Sequence, residues 1–308
     1  MKLIILLIAI SFAVLATCQP ENLYIYDLND GKIQLTLINI ESGEVNKTML
    51  PSIKTREYEL MKFLNVNQNG NFIILVMNDQ DAYAYIEITP AGQVVNTTQF
   101  IQPFPLSYLF YETSVQFDEA RNSMYMVVES YQDVILVWDY NTISNSLVNL
   151  TMSLEIPPNG CFDGLNTYYI LDIDSSQYSN FTLYSYSFDT KESSPGLTIN
   201  GISPSTDTYL LCANNQVYAV GYNAYVATEM SMYLLDTTNG EATLAVNFQN
   251  TGLQNSLNYW TKDNYFVMMT QADHQFYLTM IDLNTNTVVS KSQIQKKFVV
   301  SPEASGIN

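Results

Sequence analysis

One strand pattern recurs six times along this 308-residue chain, about once every 48 residues. Each copy reads as an apolar strand, a short polar connection, a second alternating strand, a turn, and a shorter third strand. The second copy is FIILVMNDQDAYAYIEITPAGQVVNTT and the sixth is YFVMMTQADHQFYLTMIDLNTNTVVSK. A turn starts at a comparable point in every copy, near Asn39, Ile88, Asp139, Asp189, Asp236 and Asp282, at intervals of 49, 51, 50, 47 and 46 residues. Tyr, Val, Ile, Thr and Phe dominate the runs, and these side chains suit a pleated surface. From Phe276 to Leu283, side chains at Phe276, Leu278 and Met280 alternate with Tyr277, Thr279 and Ile281, a period of two rather than 3.6. Asp30-Gly31 and Asn239-Gly240 are tight-turn pairs, because Asn and Gly tolerate positive φ.

Several strands per unit at this period predict an all-β fold, a six-bladed β-propeller. A blade has four strands, and the first copy starts too soon after Cys18 to carry its innermost one. The tail from Phe298 to Ile307 resembles Phe63 to Phe72, the inner strand and turn of the second copy. Laid beside the strand that begins at Leu23, that tail completes the first blade from the C-terminal segment and leaves no open sheet edge. The chain thus resembles six-bladed β-propeller repeat proteins as a broad class, over residues 19–308 as one domain. Trp138-Asp139 occurs once, without the Gly-His partner of WD repeats, and the kelch double glycine is absent. The resemblance therefore implies an architecture and no reaction.

Residues 1–18 read as a secretory signal peptide: Lys2, an apolar run from Leu3 to Leu15, and small residues at Ala16-Thr17-Cys18 before Gln19. The run is short for a membrane anchor, and Thr17 departs from the lipoprotein pattern. The expected location is extracellular or the lumen of the secretory pathway, with no stable membrane insertion after cleavage. Without Lys2 the 12 basic residues become 11 against 30 acidic, a net charge of −19, which repels nucleic acid and anionic membranes. Cys161 and Cys212 then remain, near the inner strands of adjacent copies. A disulfide and two free buried thiols both fit that placement. Four glycosylation sequons occur, at Asn46, Asn96, Asn149 and Asn180, the first three on the outer strands of their copies.

The chemistry-bearing residues are sparse or scattered. His274 is the only histidine and falls in a peripheral hairpin, which argues against Ser-His-Asp and Cys-His machinery. No CxxC, GxGxxG, GxxxxGK[ST] or GxSxG occurs, so no cofactor and no catalytic residue is expected. Asp79 and Asp81, and Asp172 and Asp174, read as solvated carboxylates. Asp118-Glu119 and Asp163, near inner-strand ends, are the first places to look for a cation at a channel mouth. Trp138 and Trp260 read as blade packing. Tyr178, Tyr222 and Tyr225 are assigned to connections, where recognition concentrates. The expectation is a secreted, non-enzymatic module that binds a protein or glycan. The alternative is a secreted metal-dependent hydrolase or lactonase with a cation at the channel mouth.

Overall fold

The computed structural model describes residues 19–29, 32–49, 58–67, 69–78, 83–99, 109–110, 114–118, 120–129, 134–139, 144–149, 159–173, 181–202, 208–223, 226–249, 258–272, 275–295 and 305–307. The signal peptide expected at residues 1–18 lies outside them, as do Asp79, Asp81, Glu119, Asp174, Tyr178, Asn180, Tyr225 and His274.

Among the described residues the strands form six antiparallel sheets. Sheet one contains β1 (Asn22–Asn29), β2 (Lys32–Asn39) and β3 (Val45–Met49). Sheet two runs β4 (Tyr58–Val66), β5 (Phe72–Asn78), β6 (Tyr83–Ile88) and β7 (Val94–Gln99). Sheet three has β8 (Leu109–Phe110), β9 (Gln116–Asp118), β10 (Ser123–Glu129), β11 (Val134–Asp139) and β12 (Ser144–Asn149). Sheet four has β13 (Asn159–Phe162), β14 (Thr167–Ile173), β15 (Phe181–Ser187), β16 (Glu192–Ser193) and β17 (Leu197–Ile199). Sheet five runs β18 (Thr208–Ala213), β19 (Gln216–Asn223), β20 (Val226–Leu235) and β21 (Ala242–Gln249). Sheet six runs β22 (Asn258–Lys262), β23 (Tyr265–Ala272), β24 (Gln275–Asp282) and β25 (Thr287–Gln293). The last strand, β26 (Ser305–Ile307), joins sheet one beside β1. This is an all-β propeller of repeated blades.

Two blades carry a strand split in two. β8 and β9 both pair with β10, and the Ser114 hydroxyl between them accepts the Val127 N–H at 2.9 Å. The gap in the ladder is thereby filled by a side chain, as a buried backbone donor requires. β16 and β17 divide the outer position of sheet four in the same way.

The core is a set of apolar layers between sheets. On β5, Phe72, Ile74 and Val76 pack with sheet one, while Ile73 and Leu75 pack with sheet three. On β10, Met124, Met126 and Val128 pack with sheet two, and Tyr125 and Val127 pack with sheet four. β19 faces sheet four with Val217 and Ala219 and sheet six with Tyr218 and Val220. On β23, Phe266 and Met268 meet sheet five, whereas Val267 and Met269 meet Leu23, Ile25 and Ile38 of sheet one. A strand buried on both faces must be apolar at consecutive positions, which explains runs such as Phe72–Val76. Trp260, 8% exposed, belongs to the layer between sheets six and one.

The tail pairs with β1 in a register that the sequence alignment misses. Leu23 lies opposite Ile307 and Ile25 opposite Ser305. Phe298–Val300, the run matched to Phe63–Asn65, lies outside the described residues. The reason is visible in sheet two, where the last residue of β4, Val66, faces the first of β5, Phe72. Ile307 thus stands in the position of Val66 rather than of Phe72. A second correction concerns Tyr222. It is part of β19, opposite Met230, just before a bulge, and not part of a connection.

Glycine turns lock neighbouring sheets. Gly240 follows β20 with φ +79, and a Cβ there would lie 2.1 Å from the Thr198 carbonyl oxygen of sheet four. Gly43 follows β2 with φ +70, and a Cβ there would lie 2.0 Å from the Gln293 carbonyl oxygen of sheet six. Around Gly43, the Gln295 N–H donates to its carbonyl at 3.1 Å, and the Ser292 hydroxyl donates to the Ile40 carbonyl at 2.6 Å. Gly43→Ala should therefore cost ~2 kcal/mol or more by denaturant titration, combining positive-φ strain with a backbone clash. Gly70→Ala is the control, since φ is +75 and nothing lies within 4 Å of its Cβ position. Equal losses for the two variants would refute the joint.

Candidate functional site

The turns joining the inner strand to the second strand in sheets four, five and six line one cavity. Two of the inner turns are held by their own short polar side chains. Asn67 Oδ1 accepts the N–H groups of Asn69 and Asn71, both at 3.0 Å. Asp163 Oδ1 accepts three, from Leu165 (2.8 Å), Asn166 (2.8 Å) and Thr167 (3.0 Å). Asn214 and Asn215 form a two-residue hairpin turn with φ of 52 and 56, the conformation that favours Asn. Asp263 takes φ 51 between Lys262 and Tyr265.

A cavity of about 510 Å³ opens among these turns in sheets four, five and six, lined by Phe162, Asp163, Gly164, Cys212 and Ala213 together with Asn214, Asn215, Asp263, Asn264 and Asn284. No side chain in that lining is cationic. Asn284 comes from the turn after β24, and its Oδ1 accepts from Asn214 Nδ2 at 2.6 Å, a link between sheets five and six. Asp282 Oδ1 accepts both the Asn284 N–H (2.9 Å) and Asn264 Nδ2 (3.1 Å). It thereby ties the two turns of sheet six together. Asn264 is 5% exposed, and its Oδ1 receives no hydrogen bond.

Cys161 of β13 and Cys212 of β18 are joined by a disulfide, with Cα atoms 5.4 Å apart. It staples the inner strands of sheets four and five at the cavity wall. For a sequence separation of 51 residues, the chain-entropy model puts its contribution at about 4 kcal/mol.

Next to the cavity, Arg121 bridges sheets three and four. Its guanidinium pairs with Asp118 at 2.8 Å, donates to the Leu165 carbonyl and lies 5.4 Å from the Phe162 ring centroid. Asp118 Oδ1 also accepts the Arg121 N–H at 3.2 Å, and Oδ2 accepts the Tyr125 hydroxyl at 3.1 Å. Asp118 and Asp163, the sequence's first cation candidates, are thus occupied in turns. Among the described residues no three His, Cys, Asp or Glu side chains cluster as metal ligands.

The remaining sequence-derived positions lie away from the cavity. Asn46 and Asn96 are exposed on the outer strands β3 and β7, opposite Leu37 and Glu87. Asn149 ends β12, opposite Val134. Asp172 lies in β14 opposite Thr182. Sequence reasoning passed over Asn214, Asn215, Asp263, Asn264 and Asn284, although the Asn-Asn and Asp-Asn turns occupy the same point of the repeat as Asp163.

Tyr125, Tyr168 and Tyr259 lie in the apolar layers between sheets. Burial raises the pKa of Tyr125, Tyr168 and Tyr259, and the Asp118 charge adds to the shift at Tyr125. The Tyr168 hydroxyl donates to the Ser114 carbonyl and that of Tyr259 to the Leu210 carbonyl. A phenol whose folded pKa lies above its ordinary 10.0 stabilises the fold fully below that pH and loses its contribution as pH rises beyond it. Melting followed by circular dichroism should be level up to about pH 9 and fall steeply above about pH 10. An unchanged melting temperature at about pH 11 would show that these rings ionise without unfolding.

No protein-family model matches the chain, and no curated protein matches it by sequence. Solved structures match in shape. TolB from Acinetobacter baumannii gives a TM-score of 0.59 at 10% identity, over 97% of this chain and 70% of that one. AofleA from Arthrobotrys oligospora gives 0.52 at 8%, over 79% and 73%. A putative 6-phosphogluconolactonase from Bacteroides uniformis gives 0.50 at 11%, over 94% and 100%. At these identities the likeness concerns the fold alone, and the chain shares the β-propeller architecture of these proteins.

Proposed function

We propose that this protein is a secreted propeller acting as a non-enzymatic binding module for a protein or glycan, and that the face bearing the inner turns makes the contact. The observation that carries this reading is the cavity among the turns of sheets four to six, rich in amide side chains and walled by the Cys161–Cys212 disulfide. The carboxylates beside it serve their own turns, Asp163 through three backbone N–H groups and Asp118 through Arg121. A disulfide also fits an oxidising, extracellular setting, as do the sequons at the exposed Asn46 and Asn96.

The proposal includes six blades closed in one ring by β26. Support comes from the layer between sheets six and one, and from the Gly43 joint, which repeats across the seam the relation Gly240 makes between sheets five and four. Deleting residues 305–308 should lower the melting temperature by several degrees, because an unpaired β1 edge is left behind. No change on deletion would argue for an open arrangement.

The competing reading, a metal-dependent hydrolase or lactonase, draws on Asp163 and Asp263, both in the cavity lining. Thermal melts with and without calcium separate the two. A flat response, together with capture of a glycan or a secreted protein by the purified mature chain, fits a binding module. A calcium-dependent rise would favour the enzyme.

A further inference from the structure

We infer that the cavity among the turns of sheets four to six is a binding pocket for an uncharged saccharide. The inference rests on the binding-module reading and specifies its ligand class. Three features of the lining select that chemistry. First, it holds no cationic side chain, while Asp163 and Asp263 contribute two carboxylates. Phosphate, sulfate and carboxylate ligands would meet repulsion without a compensating partner.

Second, two of the side-chain oxygens a cation would need are already engaged. Asp163 Oδ1 already accepts three backbone N–H groups, and Asn284 Oδ1 accepts the Asn214 amide. A hard cation such as calcium takes six to eight oxygens. Sugar hydroxyls make the opposite demand, since each donates and accepts at once. Amide groups interleaved with carboxylates meet both requirements, and Phe162 and Ala213 add the apolar part of the wall.

Third, Asn264 carries an orphaned acceptor. Its amide orientation is set by Asp282, which as a carboxylate can only accept, so Nδ2 must face Asp282 and Oδ1 is the end left over. Asn264 lines the cavity at 5% exposure, with nothing donating to that oxygen. Buried acceptors without partners are rare, and a ligand hydroxyl could supply the missing donor once a shift of the Asn264 side chain opens this oxygen to the cavity. The Asp282 bonds to Asn264 and to the Asn284 backbone make it a positioning residue for both amides. The cavity volume of about 510 Å³ falls inside the ~300–1,000 Å³ range of small-ligand pockets.

The test uses the purified full-length mature chain on an array of neutral, sialylated and sulfated glycans in calcium-free buffer, followed by calorimetry with the free form of any bound oligosaccharide. Binding to neutral glycans is expected. Asp263→Gly and Asn215→Gly preserve turns that already need positive φ, so both should fold with near-native melting while losing about tenfold or more in affinity. Asn264→Leu should abolish binding, and the two glycine variants keep the test valid if that buried change unfolds the protein. The inference is overturned by a silent array, by binding confined to anionic glycans, by full affinity in both glycine variants, or by calcium chloride alone raising the melting temperature. A protein ligand retained by Asp263→Gly and Asn215→Gly would discard the saccharide pocket and leave the binding-module reading standing. Absence of both glycan and protein ligands would remove the two together.

Discussion

Every sheet in this molecule needs a neighbour on each face. The second strands are apolar at consecutive residues, so a sheet standing alone would leave one whole side of Ile, Val, Met and Phe in water. Fully burying such a side chain is worth roughly 1.5–3 kcal/mol, and each second strand carries several. Stacking the sheets face to face solves this for every sheet except those at the two ends of the stack. Between sheets six and one, Leu23, Ile25 and Ile38 pack with Val267, Met269 and Met280 in a layer of the same kind. Inner strands, turns and cavity all take their positions from this requirement, because they ride on sheets whose angles are set by the shared layers.

The connections follow a different logic. Short Asn and Asp side chains hold the inner turns by accepting backbone N–H groups, as at Asn67 and Asp163. The same residue types, when carried on tight turns at Asn215 and Asp263, are exposed at the cavity. Turn formation and ligand contact thus draw on one chemical vocabulary. What separates the two uses is whether a side chain's oxygens are already satisfied by its own turn. Asp163 and Asp118 fall on the structural side of that line, with Arg121 extending the structural role across to the Leu165 carbonyl and the Phe162 ring. Asn264 falls on the other.

Much of this architecture was legible in the repeat. The third strands end at Asn39, Ile88, Asp139, Ser187, Leu235 and Asp282, within two residues of the turns expected at Asn39, Ile88, Asp139, Asp189, Asp236 and Asp282. Period-two patterning suffices for this, because a strand's own residues decide its alternation. Position within the repeat also placed Cys161 and Cys212 near adjacent inner strands, though not the bond between them. The tail register was less readable. Similarity between Phe298–Ile307 and Phe63–Phe72 invites a pairing that β26 does not adopt, since the partner strand β1 dictates which tail residues lie opposite it. Tyr222 was misread for a related reason: Gly221 and Asn223 look like a connection, yet the ladder to β20 continues past them through a bulge.

The residue order by itself determined that this chain forms strands, where each repeat turns, and that it carries a single histidine. These are local properties, carried by alternation, turn chemistry and composition. Only the tertiary structure decided which turns share a cavity, that Asn214 reaches Asn284 across 70 residues of chain, that Asp118 and Asp163 are consumed by their own turns, and that Asn264 keeps an acceptor without a donor. Those outcomes depend on distances between separate repeats, and such distances are set by how the shared apolar layers stack rather than by any one segment.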